Sequence, residues 1–301
     1  KGSLLYPTNR KELFMKKRHL IKYLFMGISI FYLCFIMLNP TQIDSKEIND
    51  QKKPIEQVVK NDSKKPSNNN SIQISKPKKK NTILSRKDMR KLSAGTILDI
   101  TKVGGETPVT AFYYEKIKDD VKSRIEGISY GKDCTVPYEE LRYIRVLHYG
   151  FDNEIHIGEL IVNKAIAADI VDIFKELYTV KYPIEQMLLV DEFDADDNAS
   201  MAANNTSSFN YRVVAGSTSL SKHALGLAID INPLYNPYVQ STKKGTSVLP
   251  KEGIEYVDRT LDCPYYIKKK DVCYQAFIKH DFTWGGTWRN KDYQHFQKTL
   301  E

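Results

Sequence analysis

The stretch that decides the fold is LRYIRVLHYGFDNEIHIGELIVNKAIAADIVDIFKEL, residues 141–177. Its first nine residues are apolar and β-branched, which predicts a strand. Residues 154–162 begin in strict alternation and predict a second strand. Gly150, Phe151, Asp152 and Asn153 between them have hairpin-turn chemistry. Ile166, Ile170, Ile173, Phe174 and Leu177 then recur at helical intervals. They predict an amphipathic helix over 165–177, with Asn163 as its cap. Downstream, residues 187–190 (MLLV) read as a further buried strand, and 191–205 as an acidic, Asn-rich loop. Upstream, 96–103 reads as a strand, and 110–125 has apolar positions near helical spacing. A hairpin, a helix, then more strands is the order of an α+β fold rather than a doubly wound sheet.

Two stretches carry chemistry. The first is SLSKHALGLAIDIN, residues 219–232. Leu227, Ile229 and Ile231 alternate with Ala228 and Asp230, which makes this half a strand with Asp230 on one face. A carboxylate there is expensive to bury unless it is paired or bound to a metal. Gly226 and Ala228 keep the backbone close-packed. The second is FTWGGTWRNKDYQHF, residues 282–296, which holds both tryptophans. Gly285 and Gly286 permit a tight turn, and Asp292 and His295 sit three apart. His223, Asp230 and His295 are ligand types that Zn²⁺ accepts. A zinc site with an open position lowers the pKa of its water to about 7, and a nearby carboxylate can take and deliver the proton. Asp292 is the candidate for that carboxylate. Arg212, in FNYR (209–212), could hold a substrate carboxylate or carbonyl oxygen. Spacing alone leaves the opposite reading open, in which these are satisfied core polar residues.

At these positions the sequence resembles a known family. SKHALGLAID (221–230) is similar to the S-x-H-x-x-G-x-A-x-D motif of the VanY-like zinc D-alanyl-D-alanine carboxypeptidases, D-Ala-D-Ala dipeptidases and L-alanyl-D-glutamate endopeptidases. DYQHF (292–296) resembles the family's terminal [DE]-x-x-H motif. Tyr211-Arg212 and the Trp284-Gly285-Gly286 turn also resemble family segments, and the similarity runs from about residue 138 to 297. The resemblance implies one Zn²⁺ per site held by His223, Asp230 and His295, with Asp292 as general base and Arg212 stabilising substrate. It places Ser221, Tyr211, Trp284 and Gly285 among the substrate-binding residues. The implied fold is the compact α+β zinc D,D-peptidase (Hedgehog/DD-peptidase-like) fold with a central antiparallel sheet. Aspartate as the base leans toward the endopeptidase branch without settling the substrate.

The remainder of the 301-residue chain differs in kind. Net charge is +8, mean hydropathy −0.45 and hydrophobic content 41%. These values exclude a collagen-like chain, a small disulfide scaffold and a polytopic membrane protein. Residues 1–90 hold 20 Lys/Arg against 7 Asp/Glu, a net of +13; residues 91–301 hold 25 against 30, a net of −5. The acidic balance of the globular part argues against a nucleic-acid partner. Residues 1–19 read as a cytoplasmic flank, with the first fourteen ahead of a true start at Met15. Residues 20–38 form a signal anchor, one transmembrane helix with positive charge on its inner side. The flank after the run fits a cleaved secretory signal poorly, and Cys34, preceded by Leu33, fits a lipoprotein signal poorly. Residues 39–90 form a disordered Lys/Asn/Ser-rich linker. Residues 91–130 are an extension of unknown role, and 131–301 the peptidase domain.

His148, His156 and His280 read as ordinary core or surface histidines rather than ligands. Cys263 and Cys273 could pair, leaving Cys134 free; a catalytic cysteine lacks a local signature. These expectations describe a zinc peptidase acting on peptidoglycan stem peptides, with a monomeric catalytic domain facing outward from a bacterial membrane. The rival is a non-catalytic cell-wall-binding domain on the same fold.

Overall fold

The predicted hairpin forms, and the rest of the sheet is added to its two edges. The computed structural model describes residues 85–99, 109–214, 217–243 and 245–300. In chain order the regular elements begin with α1 (Arg86–Lys91), β1 (Ile97–Leu98), β2 (Tyr113–Lys116) and α2 (Asp119–Ile125). The hairpin follows as β3 (Leu141–Tyr149) and β4 (Ile155–Asn163), then α3 (Ala167–Thr179) and α4 (Asp197–Ala202). The site half contains β5 (Ala228–Asp230), β6 (Tyr238–Thr242), β7 (Gly245–Leu249), α5 (Val272–Ile278), β8 (Thr283–Trp284), β9 (Lys291–Asp292) and β10 (His295–Gln297).

β3 and β4 pair antiparallel along their whole length, from Leu141 opposite Asn163 to Tyr149 opposite Ile155. The turn closes with the Gly150 N–H donating to the Glu154 carbonyl at 2.9 Å. Asn153 takes the left-handed conformation there (φ 61°), which asparagine tolerates. β1 adds beside β4 and β2 beside β3, giving the order β1-β4-β3-β2. Ile144, Val146, Leu160 and Val162 pack against Ile170, Ile173, Phe174 and Leu177 of α3. Leu141, Tyr143 and Ile161 pack on the other side with Val121 and Ile125 of α2. Cover on both faces is why these strands read as nearly unbroken apolar runs.

Several local expectations change. Asn163 does not cap α3: Ile166 occupies the cap position, and the Asn163 side chain accepts from Ala165 N–H at 3.0 Å in the preceding turn. Met187, Leu189 and Val190 are buried, but residues 187–190 do not form a strand. The Asn205 side chain accepts from Leu188 N–H (2.8 Å) and donates to its carbonyl (3.0 Å), taking the groups a ladder would use. Residues 110–125 are not one helix but β2 followed by α2. Within 191–205, Asp196 caps α4 by accepting from Asn198 N–H at 2.9 Å. The linker boundary at residue 90 falls inside α1, whose Met89 is buried in the main core. The extension 91–130 supplies both outer strands of the sheet, so it is part of the same domain. Among the described residues no helix is long and apolar enough to cross a membrane. The span expected at 20–38, Met15, Cys34 and most of the 39–90 linker lie outside them.

Two small antiparallel sheets carry the chemistry-bearing residues. β10 is central in β5-β10-β8, and β6 is central in β7-β6-β9.

Candidate metal centre

His223 opens a short 3-10 turn, His223–Leu225, which ends on Gly226 at φ +65°. A Cβ on Gly226 would sit 2.6 Å from the Asn163 backbone nitrogen, so only glycine fits. Asn163 N–H donates to the Gly226 carbonyl (2.8 Å), and its side chain donates to the Leu225 carbonyl (3.2 Å). The end of β4 thereby fixes the turn that holds His223. Two residues after the glycine begins β5, and Asp230 lies directly opposite His295 on β10. Opposed residues of an antiparallel pair share a face.

The three side chains converge. Asp230 Oδ1 is 3.0 Å from His295 Nδ1, Asp230 Oδ2 is 3.3 Å from His223 Nε2, and the two ring nitrogens are 3.2 Å apart. Their ligand atoms lie within 4.8 Å of one another. The far nitrogen of each ring is engaged elsewhere. His223 Nδ1 contacts the Ser208 carbonyl at 2.7 Å, and His295 Nε2 contacts Gln297 Oε1 at 3.1 Å. The ring edges facing each other are therefore the ones available to a metal. Two imidazoles and a carboxylate, all buried or nearly so, fit Zn²⁺ and leave a fourth position.

The electrostatics separate the two carboxylates. Burial opposes charge on Asp230, but His223 and His295 outweigh it and hold the carboxyl well below its usual range. Burial likewise opposes charge on His295, yet its hydrogen bond to Asp230, with the charges of Asp230 and Asp292, raises it to about 9. Asp292 is pushed up to about 6, first by burial and then by the Asp230 charge, against the pull of His295. Its Oδ1 is buried without a hydrogen-bond partner. One carboxylate is thus held ionised while the other sits near neutrality, the division that acid–base work needs.

The family model of the D-alanyl-D-alanine carboxypeptidases matches residues 215–298. This segment is similar to the VanY-like M15 peptidases. No curated protein and no solved structure matches the chain. The M15 match contains all three ligand candidates, Asp292 and Ser221. It excludes Tyr211, Arg212 and the β3–β4 hairpin, and so is narrower than the resemblance from 138 to 297.

The remaining positions expected at the substrate divide. Ser221 is buried; its Oγ accepts from His223 N–H (3.2 Å) and its N–H donates to the Arg212 carbonyl (3.1 Å). It braces the turn rather than facing a cleft. Trp284 is 6% exposed and donates Nε1–H to the Tyr293 carbonyl at 2.9 Å, so it is a core residue and not a substrate contact. Trp288, 37% exposed, has its ring 5.3 Å from that of His295, so it is the tryptophan beside the cluster. Gly285 matters by absence: a Cβ there would meet the Asp292 carbonyl at 2.7 Å. Tyr211 is tied by its hydroxyl to Thr135 Oγ1 at 3.1 Å. Arg212 is half exposed and ion-paired through Nε with Asp197, which Asn210 Nδ2 also holds at 2.7 Å.

Outside this cluster, His148 is buried, its Nδ1 on the Ile184 carbonyl, and burial with the neighbouring His156 lowers it to about 4. His156 pairs with Asp152 and His280 with Asp169. Cys134, Cys263 and Cys273 are all free. The pairing considered for Cys263 and Cys273 does not form, because Cys273 is turned into the core on α5 while Cys263 lies half exposed. The sequence reading missed Ser208, Gln297 and Asp197. Gln297 had a signal, since it follows His295 by two on a strand; Asp197 and Ser208 had none.

Proposed function

We propose that this chain is a zinc-dependent peptidase that hydrolyses peptidoglycan stem peptides. The observation that carries this is the convergence of His223 Nε2, Asp230 and His295 Nδ1 beside a buried carboxyl, Asp292, raised to about 6. The zinc would supply Lewis-acid polarisation of the scissile carbonyl and a water able to attack at neutral pH. Asp292 accepts the proton of the attacking water on its unpartnered Oδ1 and delivers it to the leaving amine nitrogen. Arg212 is ion-paired through Nε with Asp197, and its two terminal nitrogens, which pair with none of the described residues, would grip a carboxylate of the stem peptide. Trp288 walls the cleft beside His295 and helps to exclude bulk water. The fold on this reading is that of the zinc D,D-peptidases. The basic N-terminal third tethers the domain to the outer face of a bacterial membrane, with the linker ending before Arg86.

Digestion of purified muropeptides by the full chain, with and without chelator, tests this by mass spectrometry. Loss of a terminal D-Ala identifies a carboxypeptidase, and cleavage after L-Ala an endopeptidase. If neither bond is cut and no zinc copurifies, the catalytic reading fails, and binding of the chain to purified wall would then favour the non-catalytic wall-binding domain.

A further inference from the structure

We propose that Gln297 is the positioning residue that decides which nitrogen His295 presents to the metal. This rests on the metal-centre reading above. The two histidines offer opposite ring nitrogens, Nε2 from His223 and Nδ1 from His295. Each choice is set by what holds the far side of the ring. For His223 the lock is main chain: the Ser208 carbonyl can only accept, so Nδ1 carries the hydrogen. For His295 the lock is a side chain. Gln297 Oε1 lies 3.1 Å from Nε2 and, as an amide oxygen, also only accepts. Nε2 therefore carries the hydrogen and Nδ1 keeps its lone pair for the metal.

Without that acceptor the balance reverses. Asp230 Oδ1, 3.0 Å from Nδ1, favours a hydrogen on Nδ1, the tautomer that cannot bind a metal there. Gln297 is well placed to oppose it. It follows His295 by two residues on β10 and so projects from the same face. Its backbone is fixed on both sides, opposite Ala228 of β5 and Thr283 of β8, with Thr283 Oγ1 donating to its carbonyl at 3.2 Å. The contact is therefore built into the middle strand of the site's own sheet.

The test is zinc affinity of the full chain by chelator competition, for the natural protein, Gln297→Leu, Gln297→Met and Gln297→Glu, with His223→Ala as the metal-free control. Gln297→Leu should weaken zinc about 10–100-fold. Gln297→Met, unbranched and of similar length, should do the same if the leucine variant does not fold. Gln297→Glu, which has acceptors and no donor, should bind zinc at least as tightly as the natural protein. In the zinc-loaded protein, the His295 Nε2–H proton should give a ¹⁵N-coupled resonance that shifts or vanishes in the leucine variant. Melting of the zinc-free variants should match the natural protein, which separates positioning from general stability. Unchanged affinity in the leucine and methionine variants, or equal loss in Gln297→Glu, overturns the proposal while the metal centre stands. A natural protein that binds no zinc overturns the metal centre itself.

Discussion

The hairpin half and the site half of the domain are held together in different ways. β3 and β4 are nine residues each, paired throughout and covered by helices on both faces. The strands that carry Asp230, Asp292 and His295 are two or three residues long. Their geometry is set by single polar contacts, such as Ser208 on His223 and Gln297 on His295, and by close approaches at Gly226 and Gly285. Apolar burial is distributed, so the scaffold loses stability by degrees. The site depends on individual atoms, so one substitution there removes function at small cost to the fold.

His223→Ala breaks that comparison most severely. It should abolish stoichiometric zinc and reduce turnover to background, while the melting of the zinc-free protein changes little. Collapse of the whole domain would show that the halves are not separable. Ile144→Ala, in the fully buried scaffold, should have the opposite profile. It should cost about 2–5 kcal/mol of stability, read by denaturant titration, and leave turnover per folded molecule unchanged. Arg212→Lys keeps the charge and loses the planar fork. It should raise KM for a carboxylate-bearing stem peptide about 10–100-fold with little change in kcat or melting.

The pH dependence sharpens the contrast further. Asp292 must be ionised to accept a proton, so turnover should fall in acid, tenfold per unit once well below its pKa, which bound zinc would hold below the value of about 6 of the metal-free site. In the zinc-free protein its folded pKa lies above that of an unfolded aspartate. The same group therefore adds stability at low pH, and that contribution fades as pH rises from about 4 to about 6. As pH rises from about 4 to about 6 the zinc-free natural protein should therefore lose stability relative to Asp292→Asn, measured by pH-dependent melting, while acid lowers the turnover of the zinc-loaded enzyme in a pH–rate profile.

Legibility in the sequence follows the same divide. The hairpin and α3 were readable because alternation and helical spacing repeat over many residues; only the cap at Asn163 was misplaced, since its side chain serves the turn and not the helix. Of the two edges, β1 lies within the strand read at 96–103, whereas β2 was not readable, its residues falling in the near-helical spacing of 110–125. The edges are two and four residues long and take their conformation from pairing with β4 and β3. Residues 187–190 looked like a strand by composition, but a side-chain amide, Asn205, claims both backbone groups of Leu188. In the site, His223, Asp230, His295 and Asp292 were legible as residue types with an ordered spacing. Trp284, expected at the substrate, is buried while Trp288 is the more exposed of the two, because sequence cannot say which side of a Gly-Gly turn faces inward. The anchoring of Arg212 by Asp197 joins residues from separate segments and left no local pattern.

The most direct measurement pairs zinc content with turnover for Asp292→Asn at pH 7. The substitution keeps shape and removes the charge from a side chain that is not among the ligands. One zinc per chain should be retained and turnover should fall about 10²–10⁴-fold, the usual contribution of a general base. A variant that keeps its zinc and turns over stem peptides at the natural rate would contradict the assignment of Asp292, and loss of the zinc would place Asp292 among the ligands.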